Sequence, residues 1–316
     1  LTGLEFNIEE IVLPLAISFY TFQQIAWLAD NYTRQLLSRD KGFFNYSLFV
    51  MFFPQLIAGP IVHHSEMMPQ FEDRNQRKFQ INNFSIGLVI FVIGLTKKVV
   101  IADSAAPIGN TVFDAAAAGE AIGFIQAWTG ALAYTVQLYF DFSGYADMAI
   151  GLAAMMNIRL PLNFNSPYKA TSITDFWRCW HMTLSRFLRD YVYIPLGGNR
   201  KGRYRRYSNL IITMLIGGLW HGAIWTFVFW GGLHGFYLVV NSLWSAYSPI
   251  RIPTGMARAL TFVCVVIGWV FFRATSFEAA WVMIEGMFNF NDVLLSIANI
   301  AEEITSAWQI VLPALL

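Results

Sequence analysis

Long apolar runs, separated by short clusters of charge, glycine and proline, set the plan of this chain. They occupy residues 11–28, 43–62, 84–100, 121–140, 145–156, 210–240 and 257–272. Several reach the roughly 20 residues that an α-helix needs to cross a hydrocarbon core of about 30 Å. The pattern predicts an all-α polytopic bundle of about eight transmembrane helices. The 210–240 run exceeds one span and carries Gly217, Gly218, Gly222, Gly231, Gly232 and Gly235. Small residues let helices approach closely and permit a break, so two closely packed or discontinuous helices are expected there.

Residues 174–191 follow another rule. Trp177, Trp180, Leu184, Leu188 and Tyr191 fall on one helical face, with Arg178, Arg186 and Arg189 on another, which predicts an amphipathic helix lying at an interface or against the bundle. Ser172 with Asp175 offers a capped start, and Pro195-Leu196-Gly197-Gly198 a stop. The loop 199–206 then carries five basic residues, Arg200, Lys201, Arg203, Arg205 and Arg206, and the positive-inside rule places it in the cytoplasm. A solvated topogenic loop explains it, and an anionic-ligand site is compatible with that.

Between the apolar segments stand Asp141 and Asp147, expected to fix structure by pairing with arginines. Arg159, Pro161, Asn163, Asn165 and Pro167 follow, and this composition argues for non-helical backbone. At membrane depth such backbone survives only where protein buries it or it lines an aqueous cavity, so a re-entrant loop beside a site is expected.

Composition agrees with lipid as the solvent. Hydrophobic residues make up 56%, aromatic residues 16% and charged residues 13%, with mean hydropathy +0.48, which leaves too little polar surface to cover a water-soluble globule. The formal net charge of +1 and the absence of a basic stripe give no support for nucleic acid. Cys179 and Cys264 have neither disulfide-framework nor metal-ligand spacing and read as packing residues, so no metal site is expected. Neither a phosphate loop nor a dinucleotide or zinc-protease motif is present. The chain opens at Leu1 and closes in the apolar run 308–316, and it reads as a fragment.

The histidines carry the candidate chemistry. His221, in Leu219-Trp220-His221-Gly222, lies within apolar sequence, where an ionisable residue marks function by default. Its ordinary pKa near 6.5 suits a general base. His181 sits at the seam of the amphipathic helix, where it can point inward. His234, 13 residues beyond His221, would not face the same cavity on a continuous helix and reads as structural. His63 and His64, after Gly59-Pro60, read as loop residues.

Phe176-Trp177-Arg178-Cys179-Trp180-His181, the run Arg189-Asp190-Tyr191-Val192-Tyr193-Ile194-Pro195-Leu196-Gly197-Gly198, and Gly218-Leu219-Trp220-His221-Gly222 together resemble the membrane-bound O-acyltransferase (MBOAT) family. Leu13-Pro14-Leu15-Ala16-Ile17-Ser18-Phe19-Tyr20-Thr21-Phe22, Phe53-Pro54-Gln55-Leu56-Ile57-Ala58-Gly59-Pro60, Asp141-Phe142-Ser143-Gly144-Tyr145 and Phe271-Phe272-Arg273-Ala274 are similar to its bacterial alginate and peptidoglycan O-acetyltransferase branch. The blocks cover most of the chain in the family's order. Cys179 stands where a basic residue is common.

The resemblance implies one transmembrane domain over 1–316, shorter than its relatives at both ends, with tilted and re-entrant helices around a central tunnel in a bacterial inner membrane. It implies His221 and His181 as the catalytic pair, with Trp177, Trp180, Trp220, Asp141, Asn165 and Arg178 supporting them or lining the tunnel. No bound cofactor is implied; acetyl-CoA or another acyl thioester would be the donor, an exported polysaccharide the acceptor, and an extracytoplasmic acetyltransferase the partner. The D-alanyl-transferring branch that serves teichoic acids is the near alternative. From another class, the buried histidine and carboxylates could form a proton relay in a transporter, although the paired repeats usual there are not visible; a scaffold subunit is a third reading.

Overall fold

Helical periodicity is realised throughout the computed structural model, which describes residues 17–33, 42–56 and 59–290 and has no strand among them. These residues divide into two compact units, one formed from those up to 91 and from 148–161, the other from 92–147 and 162–290. The apolar run 11–28 begins outside the described residues, as do parts of the 13–22 and 53–60 motifs and the whole 308–316 run.

The first unit contains α1 (Ile17–Thr33), α2 (Phe43–Met51), α3 (His64–Glu72), most of α4 (Ile81–Thr96) and the last turns of α6 (Phe124–Met155). Phe49, Phe52, Val62, Met67 and Met68 pack with Ala149, Ala153 and Ile158 as its core. Gly87 lies so close to α6 that a Cβ on it would stand 2.5 Å from the Gly151 carbonyl oxygen. His64 is helical rather than a loop residue, and His63 is the extended residue that precedes it. Both are buried at the start of α3, where the His63 amide donates to Glu66 Oε2 (3.4 Å) and the Glu66 amide to the His63 carbonyl (3.0 Å).

In the second unit, α4 continues through a π-helical turn, Lys97–Ala102, into α5 (Asp103–Ala117). Val92, Ile93, Leu95, Val99 and Val100 are exposed there. Water would not tolerate such a surface at low cost, whereas lipid does. Among the described residues, 81–117 and α11 (Thr254–Arg273) are long and apolar enough to cross a membrane by length and composition.

The two apolar stretches expected at 121–140 and 145–156 form a single 32-residue helix, α6. Its carboxylates pair with lysines rather than arginines: Asp147 with Lys97 (2.5 Å) and Asp141 with Lys98 (2.9 Å), the latter also bridging to Asp103 (2.6 Å). The sequence pattern missed this because Lys97 and Lys98 stand on a different helix. They meet α6 where Gly144 packs against the Gly94 carbonyl, a Cβ there lying 2.7 Å from that oxygen. The charges are met in place, and no helix break is needed to expose them.

The amphipathic helix expected over 174–191 is broken into α7 (Ile173–Cys179) and α8 (Met182–Leu188), followed by a π-helical turn, Arg189–Tyr193. Ser172 caps α7 as its sequence predicts, its Oγ accepting from the Asp175 amide (3.1 Å). The long glycine-rich run divides into α9 (Arg203–His221) and α10 (Trp225–Tyr247), as its glycines predict. These pack antiparallel at backbone distance: a Cβ on Gly231 would lie 3.1 Å from Gly218 Cα, and one on Gly235 3.0 Å from Ile211 Cα. Against this pair α11 buries Val265, Val266 and Trp269, and α12 (Phe277–Phe288) closes the unit.

Candidate active site

His221 is the last residue of α9. Gly222 ends the helix with extended backbone, and α10 begins at Trp225 after a three-residue connection, so the break falls immediately beyond the histidine. Its half-buried imidazole sits among aromatic rings: Trp220 at 4.8 Å, Phe272 at 4.9 Å, Trp230 at 5.3 Å and Phe227 at 6.2 Å between centroids.

His181 occupies the break between α7 and α8 in a left-handed conformation, φ 41° and ψ 54°, and is buried. For a residue with a side chain this costs on the order of 1–3 kcal/mol, and it persists only where the surroundings fix it. The extended segment before α7 does so. The Met182 amide donates to the Asn163 carbonyl (2.9 Å), and the Asn165 amide donates to the Cys179 carbonyl (2.9 Å). The Asn163 side-chain oxygen accepts from the Thr183 amide (3.3 Å) and hydroxyl (2.9 Å), and lies 3.1 Å from His181 Nδ1. The edge of Phe142 meets the imidazole at 4.7 Å, and Phe164 stacks at 6.4 Å.

Trp220 joins the two histidines, its ring 6.3 Å from His181 and 4.8 Å from His221. Residues 40 positions apart in sequence thus share one aromatic chamber. His181 points inward, which the helix-seam position left open.

Trp177 and Trp180 are buried among other rings. Trp180 stacks on Phe176 at 5.6 Å and lies 4.8 Å from Trp269. Trp177 donates its Nε1 hydrogen to Nδ1 of fully buried His234 (3.2 Å). Trp230 separates His234 from His221, touching the former at 5.1 Å and the latter at 5.3 Å, and His234 is a core residue.

Three expected supporting residues stand elsewhere. Asp141 directs its carboxylate to Lys98, while its neighbour Phe142 is the residue that reaches His181. Asn165 is exposed and contributes its backbone; Asn163, buried, makes the side-chain contact. Side chains alternate in extended backbone, so two residues of one face are both candidates and the sequence does not choose between them. Arg178 is exposed and lines, beside Trp177, a cavity of about 350 Å³ with Arg189, Arg206, Asn199 and Tyr193. Arg206 donates to Ser242 Oγ (2.7 Å), and Arg189 forms an ion pair with Asp190 (2.7 Å), so both guanidinium groups are held at the rim.

An all-helical fold with exposed apolar faces brings two histidines to one tryptophan ring, the arrangement of a membrane-embedded helical protein. The profile of the membrane-bound O-acyltransferase family (MBOAT) matches residues 29–281, and the chain belongs to that family. It is similar to a peptidoglycan O-acetyltransferase of Helicobacter pylori, 50% identical over 92% of this chain and 59% of the relative. It is also similar to a probable alginate O-acetylase AlgI of Azotobacter vinelandii, 46% identical over 94% of this chain and 58% of the relative. A teichoic acid D-alanyltransferase of Bacillus subtilis is 27% identical over 84% of this chain and 69% of its own length. The chain thus spans less than two thirds of the length of the first two relatives.

Proposed function

We propose that this chain is the catalytic part of a membrane-embedded O-acetyltransferase that moves an acetyl group from a thioester towards hydroxyls of an exported cell-surface polysaccharide, alginate-like or peptidoglycan. The observation that carries the reading is the convergence of His221 and His181 on Trp220 inside a chamber of aromatic rings. The higher identity to relatives named for O-acetyl transfer favours acetyl over D-alanyl.

In this reading His221 takes the proton of the attacking hydroxyl as its oxygen bonds to the thioester carbonyl carbon. The carbon–sulfur bond then breaks, and the proton returns to the departing sulfur. General-base catalysis of this kind contributes about 10²–10⁴-fold. His181 orients the acceptor or steadies the developing oxyanion, and the aromatic walls exclude water that would otherwise hydrolyse the thioester. Acetyl-CoA is the proposed donor. The cavity rimmed by Arg178, Arg189 and Arg206 offers its phosphates cationic partners beside Trp177 and the 199–206 loop that the charge rule places in the cytoplasm. A single transmembrane domain of about eight spans in the bacterial inner membrane, a central tunnel and an extracytoplasmic acetyltransferase partner complete the proposal.

The test compares O-acetyl content of the exported polysaccharide in cells carrying the full-length gene or its His221→Ala form, with membrane levels of both proteins matched by blot. Loss of acetyl ester at equal protein level is expected. Unchanged acetylation overturns the catalytic assignment.

A further inference from the structure

The hydrogen bonds around His181 decide which of its nitrogens carries the proton. The Thr183 amide can only donate, so the Asn163 side-chain atom that it meets at 3.3 Å is the oxygen, which fixes the orientation of the whole amide. The same oxygen lies 3.1 Å from His181 Nδ1. An amide oxygen has no hydrogen to give, so Nδ1 is the donor. On a neutral ring Nε2 then holds a lone pair. That atom is buried and has no hydrogen-bond partner among the described residues. Such a group costs on the order of 1–3 kcal/mol until a partner meets it, and here, unlike at core His234, the ring also meets Trp220, the tryptophan beside His221.

We propose that Asn163 is a positioning residue that holds His181 in the Nδ1–H tautomer, leaving Nε2 as a hydrogen-bond acceptor for an O–H of the acyl acceptor. The inference rests on the acyltransferase reading and sharpens it. Of the two roles open to His181, a neutral ring with a bare Nε2 can hold a hydroxyl but cannot donate to an oxyanion. It adds no covalent step: His221 takes the proton of the attacking hydroxyl, and Nε2 of His181 accepts from a second O–H of the same polyhydroxylated acceptor. The geometry is held from several directions. Asn163 is fixed by its own carbonyl bond to the Met182 amide, the ring is gripped by Phe142 and Phe164, and Trp220 lies on the side of His221.

Nitrogen NMR of the full-length protein, labelled at histidine and held in lipid vesicles, reads the tautomer directly, with His181→Gln used to assign the signal. A protonated Nδ1 and bare Nε2 are expected in the unmodified protein above pH 7; an Nε2–H tautomer overturns the proposal without any variant having to fold. Asn163→Asp, which keeps an oxygen for all three contacts made by Asn163 Oδ1, should retain a protonated Nδ1. Asn163→Ala should mix the tautomers and lower kcat by about tenfold or more while the donor KM stays within about twofold, as when a group that orients a catalytic histidine is lost. A folded Asn163→Ala protein with unchanged tautomer and kcat also overturns the proposal. If the Nδ1–H form is found in a protein that transfers no acyl group, the acyltransferase reading fails and the assignment of Asn163 as tautomer-setting survives.

Discussion

A Cβ placed on Gly268 of α11 would stand 2.7 Å from Nε2 of His234 on α10. His234 is therefore wedged between a helix backbone and Trp177, whose indole N–H it accepts. The contact explains why this position lacks a side chain, and it separates a core histidine from the pair in the chamber.

Gly268→Ala should push the imidazole off its tryptophan and destabilise the protein by about 1–3 kcal/mol, the usual cost of overpacking. A fall in the melting temperature of the detergent-solubilised protein checks this. An unchanged melting temperature would mean that α10 and α11 can separate at no cost.

His221→Ala should lower acyl transfer by about 10²–10⁴-fold with donor binding retained, because it removes a proton acceptor and not a binding group. Thioester consumption by purified full-length protein measures it, and a loss below tenfold would move the chemistry away from this residue.

Lys98 neutralises Asp141 at 2.9 Å and Asp103 at 2.6 Å on helices with apolar outer faces. These groups are partly exposed, so removal of the cation should cost about 1–3 kcal/mol, less than an isolated charge at mid-membrane could. Lys98→Leu should lower thermal stability, and adding Asp141→Asn should restore part of it. Strictly additive effects of the two substitutions would show that the pair contributes nothing.

Arg178, Arg189 and Arg206 surround the cavity beside Trp177. If that cavity receives a phosphorylated thioester, Arg178→Gln should raise the donor KM by about tenfold or more, the equivalent of one charge-assisted hydrogen bond, and leave kcat nearly unchanged. A fall in kcat with constant KM would instead tie Arg178 to the chamber.

Much of this was readable from local pattern. The split of the 210–240 run follows from glycines whose missing side chains let α9 and α10 touch. The start of α7 follows from Ser172, and the non-helical 159–168 segment from its prolines and asparagines. Other features are tertiary and leave no local signature. The kink at His181 is held by Asn163, eighteen residues earlier, so a pattern that fits an unbroken helix yields to bonds the helical wheel does not contain. The carboxylates of α6 pair with lysines on the preceding helix, so the helix runs on unbroken where two charges interrupt apolar sequence.

The sequence by itself determined that the chain is helical, that lipid is its solvent, which family it resembles and that His221 and His181 are its candidate reactive groups, because these rest on composition, periodicity and short motifs. Only the tertiary structure decided that Trp220 lies between the two histidines, that Asn163 rather than Asn165 touches His181, and that Trp177 and Gly268 are what hold His234. The physical reason is that a hydrogen bond or ring contact depends on where separate helices cross, and helix crossings are set by the packing of whole faces rather than by the residues on either side of a motif.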